Sequence, residues 1–333
     1  MTQTSLKFCS AVQAFFRQLS QIVSGLHWVF AVWGVLLVAF NIHPAHAGDV
    51  HAVLIGVSRY PALSAQRQLK GPLNDVTQLA SLLRNQGVAN ITILADGAAA
   101  SVAIPTRQSI LDAVSRVTDG AQRGDWLILY FSGHGTQQPA TVDIAGEKDR
   151  LDEVFLPGDA DQWDARLKSI KNGLIDDQIA KMIQAAMNKG ISVWAIFDTC
   201  HAGTMSKDPL SARVWRYVPP AELGVPAAAK VAKQSSLTTL ARYQTKDMAS
   251  GKGQLVAFYA SQDNEPTPEE RLLPNNGVAG IFSWQLAKVL ARPKKERPDF
   301  GAIMKQIQDA YRADGRVFPT PFMEGAGKSP VPF

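Results

Sequence analysis

Residues 126–135 read WLILYFSGHG, and residues 192–203 read SVWAIFDTCHAG. Each stretch is an apolar run of strand length that ends in small and polar residues. A short run without polar alternation is what a strand buried on both faces requires. The glycines that follow let the backbone turn sharply and approach a ligand closely. The same rhythm extends outward along the chain. His51–Val57 (HAVLIGV) reads as a strand, and Leu73–Asn85 has helical spacing in Val76, Leu79, Leu82 and Leu83, closed by Gly87. Ile91–Leu94 reads as a strand, and Pro105-Thr106 opens a helix with Ile110, Val114 and Val117 on one face. Glu153–Leu156 reads as a short strand, Asp176–Asn188 as an amphipathic helix, and Leu255–Ala260 as another strand. Helices follow near Ile281–Leu290 and Phe300–Tyr311. Strands separated by helix-length segments predict an α/β fold, with a mostly parallel sheet sandwiched by helices. Residues 205–253 break the rhythm, being Pro- and Ala-rich without a convincing buried run, and are expected to form a long surface insertion.

The bulk properties agree with a globular domain. The chain has 333 residues, 46% hydrophobic and 19% charged, which excludes a disordered or collagenous protein. Its formal charge is +5. Residues 1–47 carry Lys7 and Arg17 and no acid, so the remainder holds 32 basic against 29 acidic residues. No basic block survives to suggest a nucleic-acid partner.

Val29–Phe40 (VFAVWGVLLVAF) is apolar and uncharged and precedes Ala45-His46-Ala47, an A-x-A pattern. That layout predicts a signal peptide over 1–47, cut between Ala47 and Gly48. The apolar run can also be extended back to Ile22, the length of an N-terminal membrane anchor. Either reading puts residues 48–333 outside the cytosol, periplasmic or secreted, with a membrane partner only if the segment is retained. Of the two cysteines, Cys9 lies in that segment, which leaves Cys200 with no disulfide partner. A lone thiol in an exported chain is either reactive or a small buried hydrophobe.

Chemistry gathers where open α/β sheets place it, at the carboxyl ends of parallel strands. One such end carries His134 and the other Cys200. A thiol and an imidazole on two strand tips of one sheet form a nucleophile with its proton acceptor. Beyond residue 47 the other histidines are His51, which begins a strand, and His201, whose side chain diverges from its neighbour Cys200. No G-x-G-x-x-G follows the first strand, and no G-x-S-x-G or H-E-x-x-H exists, so nucleotide, serine-hydrolase and zinc-protease readings lack their motifs.

SGHG after an aromatic-rich strand, followed by D-x-C-H-x-G after a second strand, resembles the caspase/metacaspase superfamily. HAVLIGVSRYP, Leu69–Asp75 (LKGPLND), Asp152-Glu153, Asp176-Asp177-Gln178 and ASQDNEP from Ala260 carry the resemblance over about residues 50–333, apart from 205–253. Asp198 stands where the animal caspase signature Q-A-C-x-G has glutamine, which places the chain on the metacaspase side. The resemblance implies a caspase-like three-layer αβα sandwich and a cysteine endopeptidase with a His134–Cys200 dyad. It implies an oxyanion hole from the Gly135 and Cys200 amides. It also implies a pocket of Asp75, Ser132 and Asp198 that accepts protein substrates at Arg or Lys. For Asp75, the alternative is a helix N-cap or first-turn acid stabilised by the helix dipole. Calcium is the cofactor the resemblance suggests, at Asp152, Asp176, Asp177 and Asp208, although Asp176-Asp177 also suits a helix N-terminus. Basic residues in the insertion (Arg213, Arg216, Lys230, Lys233, Arg242, Lys246, Lys252) suggest self-cleavage there. A catalytically idle scaffold or signalling module of the same fold is the alternative function.

Overall fold

The computed structural model describes residues 48–140, 151–200, 214–226, 252–262, 265–293 and 297–333. The expected leader at 1–47, His201, Asp208 and most of the 205–253 segment lie outside the described residues.

From Gly48 onward the chain runs β1 (Val50–Gly56), α1 (Gly71–Asn85), β2 (Asn90–Ala95), α2 (Arg107–Gly120) and β3 (Trp126–Ser132). Four short strands β4 (Gly135–Pro139), β5 (Leu151–Phe155), β6 (Trp163–Asp164) and β7 (Ser169–Ile170) lead to β8 (Leu174–Ile175), α3 (Asp176–Asn188) and β9 (Ser192–Asp198). Then come β10 (Val214–Trp215), β11 (Leu255–Tyr259), the hairpin β12 (Pro268–Leu273) and β13 (Gly277–Gly280), α4 (Ile281–Ala291), α5 (Phe300–Ala313) and β14 (Phe322–Gly325).

The central sheet has the order β14-β11-β9-β3-β1-β2 and is parallel except for β14 at its edge. Alternation along its buried strands builds two cores. Leu127, Leu129 and Phe131 face Ile110, Val114, Ile179 and Ile183 of α2 and α3. Ile128 and Tyr130 face Val76, Leu79, Leu286 and Ile303 of α1, α4 and α5. The result is the expected three-layer αβα sandwich. Phe131, Phe197, Tyr259 and Phe322 stack side by side across four neighbouring strands, with ring centroids 4.6–5.4 Å apart. This cross-strand ladder stiffens the sheet directly beneath the strand ends.

Register then fixes where the chemistry sits. Gly56 pairs with Ser132, and Ser132 pairs with Asp198, so β1, β3 and β9 end level with one another. The residues that follow these ends form one rim.

One expectation changes. Residues 214–226 are not a surface excursion: Arg216, Tyr217, Val218, Leu223 and Val225 are buried, and Val218, Leu223 and Val225 join the α2–α3 core. Val218 and Leu223 stand too far apart, with Pro219 and Pro220 between them, to show either a helical or a strand period.

Candidate active site

Cys200 and His134 lie at the level rim of β9 and β3, and both are fully buried. Tyr60 positions the imidazole: its ring stands 4.8 Å from the His134 ring, and its hydroxyl accepts the His134 backbone N–H at 2.7 Å. His134 Nε2 lies 2.6 Å from the carbonyl oxygen of Arg67, to which its N–H donates. That bond leaves Nδ1 as the basic nitrogen, and Nδ1 has no hydrogen-bond partner among the described residues. Burial pushes the His134 pKa down to about 4, with the Arg67 carbonyl and the nearby Arg216 backbone opposing it. Burial pushes the Cys200 thiol up to about 12, against hydrogen bonding from the Thr267 backbone. In this covered state both groups are neutral.

Gly135 is required by close approach. A β-carbon there would lie 1.9 Å from the Cys200 carbonyl oxygen, so no larger residue fits. The Gly135 N–H points to the carbonyl oxygen of Arg216 at 3.0 Å, and the Cys200 N–H reaches the same oxygen at 3.4 Å. These are the two amides expected to form the oxyanion hole, and a peptide carbonyl lies between them.

The Arg216 side chain is also fully buried, in a box of acids. Its Nη2 donates to Asp75 Oδ2 at 2.5 Å. Its Nη1 donates to Ser132 Oγ at 2.9 Å and to the Asp198 carbonyl at 3.0 Å, and lies 3.0 Å from Asp198 Oδ2. The Ser132 hydroxyl in turn donates a hydrogen bond to Asp75 Oδ2 at 2.9 Å. Asp75 is therefore not a helix cap. It lies inside α1 and faces the pocket, its second oxygen accepting the Gly280 N–H at 3.0 Å. Burial raises Asp75 to about 6, with Asp198 pushing the same way and Arg216 pulling it down. Asp198 is fixed from α4, where Ser283 donates through both its backbone N–H and its hydroxyl.

Glu269, which sequence reasoning missed, is the third acid. Its carboxylate accepts the Lys70 and Gly71 N–H groups at 2.9 and 2.8 Å, so it caps α1 from β12. One of its oxygens stands 4.0 Å from Arg216 Nη2. The Arg67 carbonyl and the Thr267 backbone also escaped the sequence reading, because main-chain groups leave no residue-type signal.

Of the acids expected to hold calcium, Asp208 lies outside the described residues. Asp152 lies in β5, and Asp176 and Asp177 open α3. No group of three or more His, Cys, Asp or Glu among the described residues is arranged to hold a metal.

Residues 51–209 match the family model described as metacaspase, peptidase C14 domain. The chain belongs to the caspase/metacaspase superfamily. Within that superfamily it is 32% identical over 225 residues to a Metacaspase-1 of Candida albicans, covering 65% of this chain and 46% of the relative. It is 29% identical over 246 residues to a Metacaspase-1 of Botryotinia fuckeliana, covering 72% and 54%. A Metacaspase-1B of Aspergillus clavatus is 30% identical over 298 residues, covering 80% and 66%. The chain thus spans about half the length of the first two relatives. The crystal structure of protein GSU0716 from Geobacter sulfurreducens shares the fold at a TM-score of 0.55 and 21% identity, covering 85% of this chain and 95% of that one.

Proposed function

We propose that this superfamily member is a cysteine-type endopeptidase that cleaves proteins after Arg or Lys. One observation carries the reading. A single residue, Arg216, has its guanidinium between Asp75 and Asp198 and its carbonyl oxygen between the amides of Gly135 and Cys200. A pocket that holds a basic side chain while the following peptide carbonyl meets two donors at a thiol is the arrangement acyl transfer needs.

In this mechanism His134 Nδ1 takes the Cys200 proton and the sulfur attacks the carbonyl carbon next to the basic residue. The Gly135 and Cys200 amides hold the developing oxyanion, and such donors typically contribute about 10²–10³ in rate. His134 returns the proton to the leaving amine, and water then hydrolyses the thioester. Charge selects the substrate. An Arg gains charge-assisted hydrogen bonds from two carboxylates and Ser132, whereas an Asp would meet like charge at close range, a penalty of several kcal/mol.

The export layout of Val29–Phe40 and Ala45-His46-Ala47 supports a peptidase working outside the cytosol, cut free after Ala47. Self-processing within 205–253 belongs to the same proposal.

The scaffold reading has one observation in its favour, a cleft already filled by the chain's own Arg216. Peptides with Arg, Lys or Asp before the cut separate the two. A peptidase cleaves the Arg and Lys peptides and ignores Asp, and Cys200→Ala abolishes the activity. No cleavage of any peptide would leave the scaffold.

A further inference from the structure

We propose that Glu222 is a positioning residue for the catalytic histidine and acts through Arg67: the ion pair between their side chains holds the Arg67 carbonyl against His134 Nε2. The proposal rests on the cysteine-peptidase reading and adds the residue that keeps the base in its working tautomer.

One loop, residues 58–69, orients His134. Its ends meet where the Leu69 N–H donates to the Ser58 carbonyl at 3.0 Å. It supplies both the Tyr60 hydroxyl and the Arg67 carbonyl to His134. Gln68 ties the loop from inside, its Oε1 accepting the Tyr60 N–H at 2.8 Å and its Nε2 donating to the Tyr60 carbonyl at 3.0 Å. Arg67 ends one tight helical turn, Ala65–Arg67. The Lys70 N–H, which could close a further turn on the Arg67 carbonyl, is taken by Glu269 at 2.9 Å. The Arg67 carbonyl is thus left for the imidazole.

No residue of that turn is buried, so core packing does not fix it. Glu222 ties it down from outside. Arg67 Nε donates to Glu222 Oε2 at 2.9 Å and Nη2 pairs with Oε1, so the guanidinium fork meets both carboxylate oxygens. Arg67 Nη1 lies 3.5 Å from the Tyr217 carbonyl. A planar fork held in this way restrains the main chain that carries it. Glu222 is itself anchored. Its N–H donates to the Pro219 carbonyl at 2.9 Å, and the next residue, Leu223, is buried in the α2–α3 core.

Arg67 and Glu222 are partly exposed, at 24% and 42%, and such pairs add little stability. What separates this pair from Lys305–Asp309 and Arg312–Asp309 on α5 is that one partner's carbonyl holds the base. With the proton on Nε2, Nδ1 is free to take the Cys200 proton, and the Arg67 carbonyl then faces an imidazolium N–H in a charge-assisted bond. Without the tether the neutral ring can carry its proton on Nδ1, a form that cannot accept the thiol proton. The pocket for the basic side chain is untouched, since Asp75, Ser132 and Asp198 sit on α1, β3 and β9.

The test compares wild type with Glu222→Ala, Arg67→Ala, the double alanine variant and Glu222→Gln. Arg67→Ala removes the side chain and keeps the carbonyl, and Glu222→Gln keeps the side chain's size in case an alanine variant fails to fold. With an Arg peptide, kcat should fall about 10- to 100-fold in each single alanine variant, because misplacing a catalytic group by about 1 Å can cost about 10²-fold. KM should hardly change, and the double variant should be no slower than either single one, because all three break the same link. Glu222→Gln should be intermediate. Nitrogen NMR of histidine-labelled protein at pH 8, with His134 assigned by its loss in His134→Ala, reads the tautomer directly. Wild type should carry the proton on Nε2, and the alanine variants should show both tautomers. An unchanged Nε2–H tautomer in the variants, or losses that multiply in the double variant, would overturn the proposal. A rise in KM at constant kcat would also overturn it and assign the pair to substrate binding. Wild-type protein that cleaves no peptide would remove the peptidase reading, and the tautomer comparison would still decide the role of Glu222.

Discussion

Glu269→Gln tests whether the third acid belongs to the pocket or only to the helix it caps. The substitution keeps the size of the side chain and removes its charge. The carboxylate stands 4.0 Å from the guanidinium of Arg216, and at an effective dielectric near 20 a unit pair at that distance attracts by about 4 kcal/mol. Binding recovers only part of that, because a substrate Arg must leave water and the pocket is shared with Asp75 and Asp198. We expect kcat/KM for an Arg peptide to fall about 10- to 100-fold, since each tenfold corresponds to about 1.4 kcal/mol. The cap also weakens, because one amide oxygen cannot serve both the Lys70 and Gly71 N–H groups as a carboxylate does. Lost caps cost about 0.5–2 kcal/mol, and in a domain of this size about 2–4 °C of Tm goes with each kcal/mol. Steady-state kinetics with an Arg peptide, run beside thermal unfolding, separates the two effects. If Tm falls while kcat/KM stays within twofold of wild type, Glu269 is a cap and the three-acid pocket is wrong.

Two further outcomes follow from the same geometry. Asp75 is raised to about 6, so KM for Arg peptides should rise as pH falls from 7 toward 5 and the pocket loses a charge, and Asp75→Asn should flatten that dependence. The sign for stability is opposite: the native carboxyl holds its proton above the ordinary range, so its stabilising effect is full below about pH 4 and fades through about pH 6. His134→Ala should abolish peptide cleavage with the fold retained, whereas His201→Ala should be much milder, and circular dichroism with a peptide assay distinguishes them.

Much of this architecture was legible because buried parallel strands are unmistakable runs. WLILYF and SVWAIF, each breaking into glycine-bearing polar residues, located β3 and β9, and their level ends followed from parallel pairing. His134, Cys200, Asp75, Ser132 and Asp198 were all named from sequence, and the fold brings them to one rim around Arg216. What stayed hidden depended on facing. Glu269 and Glu270 are neighbours in a strand, where alternation sends one into the pocket and the other to Arg316. Nothing in TPEER says which is which. Arg216 read as one of several basic residues in a weakly patterned segment, because its burial comes from partners remote in sequence, Asp75 and Glu269 above all. The antiparallel edge strand β14 was missed because FMEG is too short to show a period.

The central claim, a Cys200 nucleophile served by a pocket for basic side chains, is tested most directly by covalent labelling. Peptidyl acyloxymethyl ketones bearing either Arg or Asp next to the warhead, added to self-cleaved protein, report both elements in one mass spectrum. The account predicts a single adduct on Cys200 from the Arg probe, suppressed by excess Arg peptide, and none from the Asp probe. Labelling by the Asp probe in preference to the Arg probe, or an Arg adduct on a residue other than Cys200, would contradict it.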